Sequence, residues 1–227
     1  MIDWQSIDTV LLDMDGTLLD LKFDNVLWNR LVPDRYCDAV PSATESTRED
    51  LLRHMRDTRH TLDFYCLDYW ERYTGLDVRA LHLELKHLIR YRPGAEAFLA
   101  WLRGKEVRSI LVTNAHRDSL AVKNAHSRLC DGVHAAVSSH DYGHPKETGA
   151  FWERLAEHHP FDRSRTLLID DSQAVLESAA AYGIEHLLTV RRPDSGRPPR
   201  DELAFPAFDN FTELMPGGPC LTPARQG

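Results

Sequence analysis

Thr9-Val-Leu-Leu-Asp13 restricts this chain more than any other stretch: an unbroken apolar run that stops on an acid. A strand apolar on both faces belongs inside a sheet covered on both sides, and the closing acid marks where that sheet meets solvent. Comparable runs follow at 107–112, 133–137, 166–169 and 186–190. Helical patterns lie between them. Pro93 and Gly104 bracket one, with proline in the first turn and glycine past the end. Ser172 precedes a stripe of Val175, Leu176, Ala179 and Ala180 that Gly183 ends, and Leu120, Ala121, Ala125 and Leu129 make another. This alternation predicts an α/β fold built on a parallel, doubly wound sheet.

The stretch 18–92 breaks the rhythm, with helical periodicity and no convincing strand. Ser46-Thr-Arg-Glu49 reads as a capping box ahead of Leu51, Leu52 and Met55. Asp77 precedes Val78, Leu81, Leu85 and Leu88, at spacings of 3, 4 and 3. At about 150 residues per domain, 227 residues hold one core and a sizeable insertion. The expected division is a discontinuous core of 1–17 and 93–227 with a helical insertion at 18–92. From Pro193 onward Pro, Gly, Arg and Asp dominate, so 193–227 reads as an extended tail, loosest around Pro216 to Pro223.

Lys and Arg total 27 against 35 Asp and Glu, a net charge of −8, which argues against a nucleic-acid polymer or an anionic membrane as main partner. No run approaches the roughly 18 apolar residues that a membrane span needs. The start carries no basic n-region, and the four cysteines, Cys37, Cys66, Cys130 and Cys220, form no Cys-x-x-Cys pair. Free thiols and a cytoplasmic location are the expectation. Twelve histidines invite a zinc site. The obvious pair, His140 and His144, has Gly143 between and Pro145 after, which keeps them off one helical face.

Polar residues gather at strand ends. Asp13-Met-Asp15-Gly16 closes the first strand with carboxylates at i and i+2, and glycine lets the backbone turn away. Thr113-Asn114 closes the second, Lys146 follows the third, and Asp170-Asp171 closes the fourth. The carboxyl ends of parallel strands are where open α/β sheets place ligands. Taken together the groups match what phosphoryl transfer to water demands. One carboxylate attacks, a second acid handles the proton, donors hold the oxygens, and a hard cation offsets the charge.

Asp13-Met-Asp15-Gly-Thr17, Thr113, Lys146 and Asp170-Asp171, in that order, resemble the four motifs of the haloacid-dehalogenase superfamily, whose C1 cap the insertion also resembles. That resemblance implies a Rossmann-like core and Mg²⁺ as cofactor. It implies Asp13 as nucleophile and metal ligand, and Asp15 as acid/base that also lends a carbonyl to the metal. Thr113 and Asn114 are then phosphate-binding, Lys146 pairs with phosphate and nucleophile, and Asp171 binds the metal with Asp170 as a second acid. A further family acid four residues on is Val175 here. Longer stretches, Asp20 to Asn25, His60 to Trp70, Thr113 to His116 and Arg192 to Gly196, are similar to bacterial GMP/IMP nucleotidases of that superfamily. That narrower likeness, and neither spacing nor composition, points to purine nucleotides.

A dehalogenase needs no acid for a departing halide, so Asp15 favours a phosphatase. A phosphosugar phosphatase or a phosphomutase shares the pair and stays open. From another class, a non-turnover Mg²⁺-binding switch uses Asp, Thr and Lys, but it is shorter and needs no insertion. Lys22, Arg56, His60, Tyr65 and Trp70 are candidate substrate contacts, each equally readable as a core aromatic or a solvated polar group. The expected partner is a small phosphorylated substrate.

Overall fold

The computed structural model describes residues 2–41 and 44–217. Among them a six-stranded sheet runs in the order β3-β2-β1-β4-β5-β6, with every pairing parallel. The strands are β1 (Thr9–Leu12), β2 (Arg108–Thr113), β3 (Ala135–Ser138), β4 (Thr166–Ile169), β5 (His186–Val190) and β6 (Ala207–Phe208). The first five answer to the five apolar runs. Strand order turns back at β1, flanked by β2 and β4, so the crevice of this sheet opens at the carboxyl ends of β1 and β4.

Alternation along β1 sorts the core into two layers. Leu11 points into a cluster with Phe151, Trp152 and Leu155 of α9 (Gly149–His158) and Val175, Leu176 and Ala179 of α10 (Gln173–Tyr182). Val10 and Leu12 point the other way. They meet Phe98, Leu99 and Leu102 of α7 (Ala95–Arg103) and Leu120 of α8 (Arg117–Ser127). Ser172 accepts from the Val175 N–H and Gly183, at φ 101°, ends α10. Both ends of that helix follow the sequence.

Between β1 and α7 lie six α-helices, a π-helical turn (Leu27–Leu31) and a 3₁₀ turn (Lys86–Leu88). The helices are α1 (Lys22–Val26), α2 (Val32–Ala39), α3 (Glu45–Asp57), α4 (Leu62–Tyr65), α5 (Leu67–Thr74) and α6 (Val78–Glu84). Phe23, Leu27, Val32, Leu51, Met55, Trp70, Val78 and Leu81 join the same cluster as α7 and α8, so these helices pack on one side of the sheet. The capping box lies two residues earlier than the sequence suggests. Thr44 caps α3, with the Thr47 hydroxyl returning to the Thr44 N–H at 3.0 Å. Both positions carry a hydroxyl, and local pattern does not rank them.

The expectation of a loose chain after Pro193 is corrected over its described part. Pro193 accepts from the Leu21 N–H at 2.9 Å, β6 adds to the sheet beside β5, and Phe208, Phe211 and Leu214 are buried. The Trp4 indole donates to the Leu214 carbonyl at 2.7 Å, which closes the segment against the N-terminus. Two apolar residues are too short a run for period to register. Cys220 and the end of the Pro216 to Pro223 stretch lie outside the described residues, whereas Cys37, Cys66 and Cys130 are free. Among the described residues no helix is long and apolar enough to cross a membrane.

Candidate active site

Asp13 follows β1 directly, and its N–H reaches the Ile169 carbonyl at 3.0 Å, carrying the β1–β4 pairing one residue past the strand. The chain then turns sharply. Gly16, at φ +88°, donates to the Leu19 carbonyl at 2.8 Å, and the Leu19 N–H returns to Met14 at 2.8 Å. A Cβ on Gly16 would sit 2.6 Å from the Asp171 carboxylate, so glycine serves here both the left-handed turn and the approach of the acid.

Lys146 lies in the loop ahead of α9, not inside a helix, and is buried. Its Nζ donates to Asp13 Oδ1 at 2.7 Å, Asp170 Oδ2 at 2.7 Å and the Val112 carbonyl at 3.1 Å. All three ammonium hydrogens are thereby used. Asp170 Oδ1 accepts from the Ser172 N–H at 2.9 Å. Asp13, Asp170 and Asp171 each offer a carboxylate oxygen within 4.8 Å of the other two, and Asp13 Oδ2 is buried with no hydrogen-bond partner. Three converging oxygen donors and an orphaned carboxylate oxygen fit a hard divalent cation such as Mg²⁺. At the corresponding position Val175 is buried and supplies no fourth acid.

Thr113 ends β2 buried, its hydroxyl accepting from the Ala115 N–H at 3.0 Å. Asn114 lines the cavity beside Thr113, and its side chain is tied to the lysine loop. Its Oδ1 accepts from the Lys146 N–H at 2.9 Å and its Nδ2 donates to Glu147 Oε2 at 2.8 Å. Burial leaves that amide little choice but to satisfy its neighbours, so it orients the lysine loop.

Two residues outside the motifs complete the floor. Lys123, buried on α8, pairs with Asp15 Oδ1 at 2.7 Å and donates to both carboxylate oxygens of Asp24 at 2.8 and 2.9 Å. A sequence signal existed: Lys123 stands three residues after Leu120, in phase with the apolar stripe of α8. Asp24 gives none by itself.

Crowding governs the charges. Burial pushes the Asp15 carboxyl up to about 7, helped by Asp24 and opposed by Lys123. Asp170 rises to about 7 through burial, with Lys146 opposing and Asp13 assisting. Burial raises Asp13 and Asp171 as well, with Lys146 working against it at Asp13. Burial disfavours the Lys146 charge, yet Asp13 and Asp170 more than offset it and keep the ammonium protonated.

Above this floor is a cavity of about 350 Å³. Asp13, Asp15, Thr113, Lys146, Asp170 and Asp171 line one side, and Trp28, Leu52, Met55, Phe64 and Tyr65 line another. Of the five candidate contacts, Arg56 and Tyr65 line it, whereas Trp70 lies beside it as a fully buried core aromatic. Lys22 and His60 are corrected. Lys22 is exposed at the start of α1, beside Gly196. His60 is exposed in a left-handed turn, its imidazole 3.4 Å from Glu147. Trp70 is held by its own fold, Nε1 donating to the Phe64 carbonyl at 2.8 Å. The Tyr65 hydroxyl crosses from the inserted helices to donate to Glu147 Oε1 at 2.7 Å.

A parallel sheet with acids, threonine and lysine at its carboxyl edge defines a hydrolase of one superfamily: the profile of the haloacid dehalogenase-like hydrolases matches residues 7–183, and the chain belongs to that family. Among curated relatives it is similar to GMP/IMP nucleotidase YrfG of Escherichia coli (strain K12), 40% identical, the match covering 95% of this chain and 97% of that one. Its fold is similar to a HAD phosphatase from Thermococcus onnurineus, with a TM-score of 0.74 at 19% identity over 92% of this chain and 96% of that one. L-2-haloacid dehalogenase from Xanthobacter autotrophicus shares the fold at a TM-score of 0.58 and 16% identity, covering 92% and 96% of the two chains.

Proposed function

We propose that the protein is a Mg²⁺-dependent phosphoric monoester hydrolase that cleaves purine nucleoside 5′-monophosphates, GMP and IMP foremost, through an aspartyl-phosphate on Asp13. The observation that carries this reading is the pairing of an acid cluster with an aromatic wall across one small cavity. Trp28 and Phe64 offer flat apolar surface suited to a base, while the acids and Lys146 suit the phosphate end. The 40% identity to a GMP/IMP nucleotidase supports the same substrate class.

Asp13 would hold the cation with Asp170 and Asp171, while Asp15 lends a backbone carbonyl. Bound there, Mg²⁺ supplies positive charge that lets carboxylate and phosphate approach. Asp13 attacks phosphorus and the bond to the ester oxygen breaks. Asp15 delivers its proton to that leaving oxygen, a task for which a carboxyl raised to about 7 is suited. The Asp15 carboxylate then takes a proton from water, whose oxygen attacks the phosphorus and releases Asp13. Lys146 holds Asp13 in place and offsets charge on the transferring group, with Thr113 donating to it. Lys123 steadies Asp15 between its two protonation states. The inserted helices act as a C1-type cap that keeps other water out and opens for product release. Free thiols suit a cytoplasmic enzyme.

A phosphate-release panel of purine and pyrimidine monophosphates beside sugar phosphates tests the substrate. GMP and IMP should exceed sugar phosphates by about tenfold or more in kcat/KM, the discrimination expected of an apolar pocket. Equal rates would remove the nucleotidase reading and leave the phosphatase.

Metal dependence has a sign. EDTA should abolish activity and Mg²⁺ restore it. Below about 7 Asp170 carries a proton that the cation must displace, and burial raises Asp13 and Asp171 in the same direction, so affinity weakens as pH falls. The rise in Tm on adding Mg²⁺ should therefore be larger at pH of about 8 than at about 5.5. Zinc restoring activity best, or a Tm shift independent of pH, would contradict the oxygen-ligand assignment.

A further inference from the structure

One group of side chains has no task in this reaction. Cys66 joins α4 to α5 in the insertion, His116 caps α8 just after β2, and His140 sits in the turn after β3. One ligand atom from each lies within 4.8 Å of the other two. The two imidazoles meet edge-on, ring centroids 5.0 Å apart. His140 Nε2 is buried and has no hydrogen-bond partner. His116 Nδ1 lies 3.3 Å from the Asp118 N–H and 3.6 Å from Asp118 Oδ2; ligation through Nε2 requires the Nδ1 tautomer to carry the proton and donate it to that carboxylate. Asp68 Oδ2, two residues past Cys66, stands 3.9 Å from that Nε2.

A thiol and two imidazoles form a donor set opposite in character to the acid cluster. Mg²⁺ takes oxygen, whereas thiolate and imidazole select zinc and similar ions. Tetrahedral zinc with such ligands holds its donor atoms about 3.3–3.8 Å apart, and the three donors here already lie within 4.8 Å of one another. Burial keeps the His140 imidazole neutral, the form that ligates. The carboxylate of Asp68, or water, remains for the fourth position.

We infer that Cys66, His116 and His140 form a second metal site, for a zinc-class divalent ion, that ties the helical insertion to the sheet. Cys66 travels with helices that roof the cavity, while both histidines are anchored at strand ends. A bound ion therefore holds the roof down and slows product release. The binding statement stands independently of the reaction proposed above; the inhibition rests on it.

The test uses the full chain saturated with Mg²⁺ and titrated with Co²⁺, then with Zn²⁺. A thiolate-to-cobalt charge-transfer absorption should appear with one equivalent, and Zn²⁺ should remove it. Cys66→Ser, which keeps a good helix-capping residue, should abolish the absorption with its Tm unchanged. His140→Gln should weaken Co²⁺ binding about tenfold or more and serves if the first variant misfolds. No absorption in the wild type, or one undiminished in both variants, would overturn the site. In the second arm, Zn²⁺ should slow Mg²⁺-supported phosphate release in the wild type and spare Cys66→Ser. Equal inhibition of both proteins, or none in a wild type that binds Co²⁺ through thiolate, would overturn the clamp. Failure to turn over any phosphomonoester would instead count against the proposed reaction and leave the cobalt result standing.

Discussion

Asp13→Asn is expected to lower kcat for phosphate release by roughly three orders of magnitude or more, with the fold intact. Asparagine matches aspartate in shape, so the packing behind β1 is undisturbed. What disappears is the attacking oxygen and one of the three carboxylates offered to the cation. Lys146 keeps Asp170 as its partner at 2.7 Å, so its ammonium is not left unpaired. Burial already opposes the Asp13 charge, and the Tm should stay level or rise when that charge is removed. Phosphate release, thermal melting and substrate binding separate these effects. Turnover above a few per cent of wild type would end the assignment of Asp13 as nucleophile.

Lys146→Met should behave in the opposite way, losing activity and stability together. Methionine fills much of the lysine's volume, yet Asp13 and Asp170 then face each other without their shared ammonium. Removing one member of a buried charge cluster costs about 3–5 kcal/mol. For a chain of this size that corresponds to a Tm lower by about 10 °C. Without Lys146, which lowers it, the Asp170 carboxyl rises above its wild-type value of about 7, so the deficit should grow as pH climbs past about 7 and shrink as pH falls and the carboxyls take up protons. Mg²⁺ should raise the Tm of the variant more than that of the wild type, since it replaces part of the missing positive charge. A melting curve that matches wild type without Mg²⁺ at pH of about 8 would show that the lysine does not compensate these acids.

Local pattern made much of the molecule legible, for identifiable reasons. Strands buried on both faces leave continuous apolar runs, so β1 to β5 were visible as residues. The acids, threonine and lysine at their ends were visible because polar groups after such runs have few structural explanations. Helix ends were readable where one residue type dominates the geometry, as with Ser172, Asp77 and Gly183. Where two hydroxyls compete, as at Thr44 and Ser46, pattern chose wrongly. The segment after Pro193 read as loose because its anchors, Phe208, Phe211 and Leu214, are scattered among turn residues.

Chain order and the chemistry at each strand end were thus set by the linear sequence, because period and residue type act over a few neighbours. Only the folded chain decided which side chains share a charge: Lys123 reaches back 99 residues to Asp24, and Lys146 reaches 133 residues to Asp13. It also decided that the Asn114 side chain turns toward Lys146 and Glu147, and that Lys22 and His60 are not among the residues lining the cavity. Cys66, His116 and His140 carry no common spacing, yet packing the inserted helices on the sheet edge brings them together. Proximity of that kind depends on how whole elements dock, which no short window of residues encodes.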